Sequence, residues 1–333
     1  PPPPPPFFLM IRRPPSSTHC ISSAAADVYK RQIVLRSVNF QPVISLGPGD
    51  EHSPKSVSAL PIRANGQESA APTTFGLVNS LNSSQTHAAN VLWDYYQSDK
   101  TLPEEAFADL DFSDGLAIQA EIRRRRVESG LTQIGWKVGL TSDRARKQVG
   151  IDDRPFGHLM RSFDSGVSMP ANSVAGATIE PEMCFTIGAT IAGPDVDPQT
   201  IPDRLARVAA GYELNERRAV VGGNLAMLIA DNLTNWAIVE GSGVPVSDVQ
   251  DIDETEIVLY RNDEECFRCV HRDEVDNPFI SISRLAATLH RFGLSLEAGQ
   301  KVITGSYTRH KVEAGEHWVA EYSNIGRVEA SYT

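Results

Sequence analysis

The chain has little of what several specialised classes of protein require. Four cysteines in 333 residues cannot staple a disulfide scaffold, and a reducing cytoplasm is the expectation. No apolar run reaches the ~18 residues that a membrane-spanning helix needs. Basic residues are in the minority: Lys and Arg total 31 against 42 Asp and Glu, for a net charge of −11. With a pI near 5.2, the surface would be repelled by nucleic acid and by anionic lipid unless basic residues were concentrated in a patch. The one basic run, Arg123 to Arg126 in "SDGLAIQAEIRRRRVESG", reads instead as the solvated end of a helix capped by Ser113 and stopped by Gly130. The eight histidines are scattered, without the close pairs of an imidazole zinc site. Cys266 and Cys269 form a lone CxxC in an apparent hairpin with no second ligand pair.

What is present divides the chain in three. Residues 1–32 join a proline tract to a basic, Ser/Ala-rich stretch with neither helical nor strand period, and they lack the apolar core of a signal peptide. They resemble translated sequencing-adaptor read-through, and are expected to be disordered and outside the fold. Residues 33–83, rich in Ser, Pro, Gly and Asn, read as a linker or disordered extension. From residue 84 to 333 the pattern is that of one folded domain. Ala88, Val91, Leu92, Tyr95 and Tyr96 form the stripe of an amphipathic helix. A second helix is expected over 113–129, a short one after Thr200, an apolar one in "GGNLAMLIADN", and one in "NPFISISRLAATLHRFG" with an Asn277 cap and a Gly293 stop. Strands are expected in "QIGWKVGLTS", "TIEPEMCFTIG", "GYELNE", "GQKVITGSYT" and "HWVAEYSNIGRVEASY", with a hairpin in "EIVLYRNDEECFRCV".

The segment "TIEPEMCFTIG" poses the chemical question. Alternation along a strand puts Ile179, Pro181, Met183, Phe185 and Ile187 on one face, and Glu180 and Glu182 together on the other. Two carboxylates about 7 Å apart can converge on a cation between them. Pro181 cannot donate to a ladder, which suggests an edge, a bulge or a strand entrance. The bland alternative is a solvated strand face. A third carboxylate, Glu213 in "AAGYELNERR", would complete an all-oxygen set suited to Mg²⁺ or Mn²⁺. Lys137 alternates with apolar residues in "IGWKVGLTS" and lies between two glycines, where it is either a structural ammonium or a group that moves protons and holds enolate charge. His158 in "FGHLM" reads as a loop residue after a glycine, and Asp231 with Asn232 in "IADN" as a helix end.

Taken in order, "GWKVGLTS", "GIDDRPFGHL", "IEPEMCFTIG", "GYELNERR", "LIADN" and "GQKVITGS" resemble the 2-keto-4-pentenoate hydratase and 4-oxalocrotonate decarboxylase branch of the fumarylacetoacetase-like superfamily, over residues 84 to 333. The resemblance implies an α+β fold, a mixed β-roll with surrounding helices. It implies Mg²⁺ or Mn²⁺ held by Glu180, Glu182 and Glu213, and catalytic roles for Lys137, Asp231 and Ser306. His158, Asn232, Thr304 and Gly305 fall at positions implied to bind substrate. The implied reaction is hydration of a 2-hydroxy-2,4-dienoate in aromatic meta-cleavage catabolism, by a cytoplasmic homo-oligomer whose partner is a small 2-oxo acid, with neither nucleic acid nor membrane involved. Decarboxylation of a 2-oxo-enedioate, acylpyruvate hydrolysis and non-catalytic binding of a metal or oxo acid are the other readings. The chain departs from the pattern at Pro155, where many hydratases of this branch carry an acid, and at Asn215-Glu216, where Val-Asp is usual.

Overall fold

The computed structural model describes residues 80–97, 104–216 and 224–333. Residues 1–32 and all but the last few of 33–83 lie outside the described residues. The elements run α1 (Ser83–Tyr96), α2 (Phe112–Glu128), β1 (Gly135–Val138), α3 (Asp143–Val149), β2 (Phe156–Leu159), β3 (Ser162–Asp164), β4 (Val167–Met169), β5 (Thr178–Ile187), β6 (Leu205–Asn215), α4 (Leu225–Ala230), β7 (Asn235–Pro245), β8 (Glu256–Arg261), β9 (Glu264–Val270), α5 (His271–Glu274), α6 (Pro278–His290), β10 (Lys301–Ile303), β11 (His310–Lys311), β12 (His317–Tyr322) and β13 (Gly326–Tyr332).

Local chemistry fixes most boundaries. Asn82 and Gln85 form a capping box that starts α1. Asp111 and Asp114 do the same for α2, so the cap is Asp111 and not the expected Ser113, which lies inside the helix. Asn277 caps α6 by accepting from the Phe279 amide. In the β8–β9 hairpin Asn262 and Asp263 both adopt left-handed φ, 51° and 66°, the signature of a two-residue primed turn. The helix expected after Thr200 is two single 3₁₀ turns, each opened by a proline, because β6 begins at Leu205. The arginine run is also more than a solvated end. Arg124 fits that reading, paired to Glu121 and Glu128, but Arg123 lies 5.2 Å over the Trp136 ring and Arg126 5.3 Å over that of Tyr96.

Two sheets are present among the described residues. The larger runs β2-β1-β10-β5-β6-β7-β3 with β11 also paired to β5, and the smaller runs β4-β13-β12-β8-β9. Between them lies the main core, where Ile179, Met183, Phe185, Val208, Ala210, Tyr212, Trp318, Ala320 and Val328 pack. A second cluster joins α1, α2 and α4 through Leu92, Ile118, Ile122 and Met227. The mixed helices and curled sheets are the α+β architecture read from the sequence.

The strand carrying the two glutamates is central rather than an edge. β5 pairs along its whole length with β6, and on its other side first with β11 and then with β10. Pro181 is tolerated there because its carbonyl accepts from the Tyr307 amide. The main chain at 181 therefore points into the gap between β10 and β11, where the missing N–H breaks no bond to β6.

Candidate metal centre

Register assembles the site. On β5 and β6, Glu180 is the cross-strand partner of Glu213, and Glu182 faces the same way two residues on. Two strands away, Lys137 of β1 pairs with Ile303 of β10, whose other neighbour is Cys184, and alternation puts all of these on one sheet face. One patch of that face is dry: Leu159, Cys184, Ile238 and Ile303 form a small apolar cluster, and burial pushes the Cys184 thiol up to about 12. Beside it Glu180, Glu182 and Glu213 are all buried, and each offers an oxygen within 4.8 Å of the others.

Three buried carboxylates need positive charge. Lys137 Nζ donates to both oxygens of Glu213 at 2.6 Å and lies 3.5 Å from the Leu233 carbonyl. Arg309 donates to Glu180 through Nε. The Gly305 amide donates to Glu182 at 2.7 Å, and the Asn235 amide to Glu213 at 2.8 Å. Burial raises the Glu180 carboxyl, but Arg309 and Lys137 outweigh it and hold the group below the usual carboxylate range. Glu182, which has no ion pair among the described residues, is pushed well above that range by burial and by Glu213. Glu213 is also raised, because burial outweighs its lysine. The cluster therefore holds three acids against two cations and is short of positive charge. That deficit, with hard oxygen donors only, fits Mg²⁺ or Mn²⁺; among the described residues no His or Cys joins the group.

These shifts predict a pH dependence for the metal-free protein. Glu182 and Glu213 have raised folded values, so their contribution is full at low pH and is lost as pH rises above the ordinary carboxylate range. Glu180 is shifted down and contributes oppositely, losing stability on acidification. Glu182, raised well above its ordinary range, carries the larger shift. The benefit of Mg²⁺ over chelator to the melting temperature is expected to be larger near pH 8 than near pH 5, about the carboxylate range. A benefit that is flat across this window would remove the electrostatic account.

The turn after α4 is the least conventional backbone in the site. Asn232, Leu233 and Thr234 have consecutive positive φ values of 57°, 51° and 66°. Left-handed non-glycine residues each cost about 1 kcal/mol, so something must hold the turn. Asn232 supplies part of it, accepting from the His158 amide at 2.7 Å and donating to the His158 carbonyl at 2.9 Å. The result aims the Leu233 carbonyl at Lys137 and leads directly into Asn235. The space for Lys137 comes from across the ladder. A Cβ on Gly157 would lie 2.5 Å from Lys137 Cγ, so glycine is required there. Gly305 has φ 127° and a Cβ there would lie 2.0 Å from Thr141 Oγ1, which fixes the amide that serves Glu182.

The structure thus brings Lys137, Glu180, Glu182, Glu213 and Gly305 together. Thr304 is buried at the end of β10, next to Gly305. Other candidates point elsewhere. His158 is in β2 and not in a loop; its ring lies 3.2 Å from Arg126 Nη1, on the face opposite Gly157. Asp231 accepts from Tyr96 at 2.7 Å, and the Ser306 hydroxyl donates to the Thr308 carbonyl at 2.9 Å. Sequence reasoning missed Arg309, Asn235 and Gly157. Arg309 follows the "TGS" stretch by three residues, and a cation so near that loop was the available signal.

No family model matches the chain. Among curated proteins it is 26% identical over 253 residues to 2-keto-4-pentenoate hydratase of Paraburkholderia xenovorans (strain LB400), covering 74% of this chain and 93% of that protein. It is 26% identical over 231 residues to 4-oxalocrotonate decarboxylase of Pseudomonas putida, covering 68% and 87%. Among solved structures, 4-oxalocrotonate decarboxylase from Pseudomonas putida G7, complexed with magnesium and adipate, superposes with a TM-score of 0.68 at 22% identity, covering 75% of this chain and 97% of that one. Along most of its folded part the chain is thus similar in sequence to 2-keto-4-pentenoate hydratase and 4-oxalocrotonate decarboxylase, and its fold is similar to that of the decarboxylase.

Proposed function

We propose that the chain is a divalent-metal-dependent lyase that hydrates a 2-hydroxy-2,4-dienoate, the enol form of a 2-oxo acid. The observation that carries this reading is the buried Glu180, Glu182 and Glu213 cluster with Lys137 held against it. Mg²⁺ or Mn²⁺, held by the three glutamates, would supply Lewis acidity for the 1-carboxylate and 2-oxygen of the substrate.

The chain's own residues then account for the rest. Lys137 Nζ sits in a dry site, fixed by Glu213 and the Leu233 carbonyl, where a developing negative charge on the 2-oxygen can be held without solvent reorganisation. The enol proton leaves the 2-oxygen and C5 gains a proton, giving the conjugated enone. Water adds at C4, C3 takes the remaining proton, and the product is a 4-hydroxy-2-oxo acid. Lys137 is the group placed to relay a proton at the 2-oxygen. Gly305 and Asn235 keep Glu182 and Glu213 oriented. Assembly as a homo-oligomer and action in the cytoplasm in aromatic catabolism belong to the same proposal. Among the described residues no helix is long and apolar enough to cross a membrane.

Decarboxylation of a 2-oxo-enedioate needs the same enolate stabilisation, and the likeness to 4-oxalocrotonate decarboxylase keeps it as the second reading. The deciding assay incubates the protein with Mg²⁺ and either 2-hydroxypenta-2,4-dienoate or 2-oxohex-3-enedioate. Loss of dienol absorbance without gas release is the hydratase result, and CO₂ release that of the decarboxylase. Undiminished turnover in chelator would end the metal-dependent reading.

A further inference from the structure

The segment between β10 and β11, residues 304–309, is not a strand, yet it supports the glutamate cluster twice. The Gly305 amide donates to Glu182, and Arg309 pairs with Glu180. What holds this connection in place lies on its other side. Tyr307 is buried in the main core, whose members on β5, Ile179, Met183 and Phe185, face away from the glutamates. Its amide donates to the Pro181 carbonyl at 3.3 Å, and its ring meets that of Tyr322 edge-on at 6.0 Å. Tyr322 in turn donates to the Glu182 carbonyl at 3.0 Å.

The far end of Tyr307 is fixed from another element. His271, fully buried at the start of α5, places Nδ1 2.7 Å from the Tyr307 hydroxyl, with the two rings inclined at 72°. Burial pushes the Tyr307 phenol well above its ordinary range and lowers the His271 imidazole, so both groups stay neutral. The phenol has no other acceptor among the described residues and donates to Nδ1, which leaves the ring proton on Nε2, 3.9 Å from Asp253. His271 is set in turn by its amide, which donates to the Thr255 carbonyl at 2.9 Å.

We propose that His271 is a positioning residue for the metal centre. By holding the Tyr307 hydroxyl it fixes the 304–309 segment, and with it the Gly305 amide and the Arg309 guanidinium, where they orient Glu182 and Glu180. This rests on the metal-dependent reading above, since the glutamates must first be ligands. Buried carboxylates converge on one ion only if each is aimed, and an amide at 2.7 Å aims Glu182 only while its own backbone cannot shift.

The test measures calorimetric Mg²⁺ affinity of the folded full-length protein, and melting in chelator, for Tyr307→Phe, His271→Phe and the double variant. Each single change leaves one buried polar group without its partner, so each should melt below wild type. Each should also bind Mg²⁺ about three- to tenfold more weakly. That lies below the 10–100-fold typical of groups bonded directly to ligands, because this bond is one step further out. The double variant removes both polar partners and keeps two rings in place, so its melting should recover toward wild type. Its Mg²⁺ affinity should stay at the level of the singles, because the bond is missing in all three. A purely structural bond would leave affinity within about twofold of wild type, or let it recover with stability in the double variant. Either result overturns the positioning role, as do losses that add in the double variant, while Mg²⁺ binding by wild type sustains the metal centre. Absence of Mg²⁺ binding by wild type overturns both.

Discussion

Glu182→Gln is expected to abolish turnover and at the same time to raise the melting temperature of the metal-free protein. The two effects have one cause. Glu182 is buried between β10 and β6 without an ion pair among the described residues, and burial with the neighbouring Glu213 charge already favours its neutral form. Glutamine copies that neutral form, and its carbonyl oxygen can still accept the Gly305 amide now held at 2.7 Å. Repulsion within the cluster falls, so the chelated variant should melt higher than wild type at pH 8. The third anionic ligand is lost in exchange. Changes that only support a ligand cost about 10–100-fold in metal affinity, so loss of the ligand itself should exceed about a hundredfold for Mg²⁺. Titration calorimetry with Mg²⁺ and Mn²⁺, dienol turnover and melting in chelator check the three arms. Metal affinity within a few-fold of wild type would show that the cluster is structural and not a metal centre.

Lys137→Met should do the reverse to stability. Methionine keeps the length of the side chain against Gly157 but removes the ammonium that both Glu213 oxygens accept from at 2.6 Å. Glu213 is fully buried and would retain only Asn235 as a donor. Removing one partner of a buried ion pair costs about 3–5 kcal/mol. At low pH Glu213 can protonate and the loss should shrink; at pH 8 in chelator it should be near its full size. Saturating Mg²⁺ puts positive charge back beside Glu213 and binds only the folded state, so the gap to wild type should narrow. Turnover should stay about 10²–10⁴-fold down even then, the usual worth of a positioned proton-transfer group. A variant that melts like wild type in chelator at pH 8 would remove Lys137 from the charge-balancing role, and one that turns over within tenfold of wild type would remove it from the catalytic one.

The sequence by itself determined which residue types occupy which face. A period of two in residues 178–187 and 134–141 placed Glu180 with Glu182, and Lys137, on the faces opposite their apolar neighbours, and the Asn277 cap and the 256–270 hairpin are local devices, legible because each acts within a few residues. The order of six short motifs pointed to the family for the same reason. Only the tertiary structure decided how those faces meet. Pro181 looked like an edge residue because its missing donor is a local fact, whereas the gap it faces is made by β10, β11 and Tyr307, more than a hundred residues away. Arg309 could not be paired with Glu180 from the sequence, since an ion pair leaves no periodic trace when its partners lie on distant segments. His158 and Asp231 carry suitable chemistry, yet the register of β2 and the end of α4 turn them to Arg126 and Tyr96. Residue identity sets what a side chain can do, but strand register and long-range packing set which charges are buried together, and that shared burial is what leaves the glutamates short of a cation.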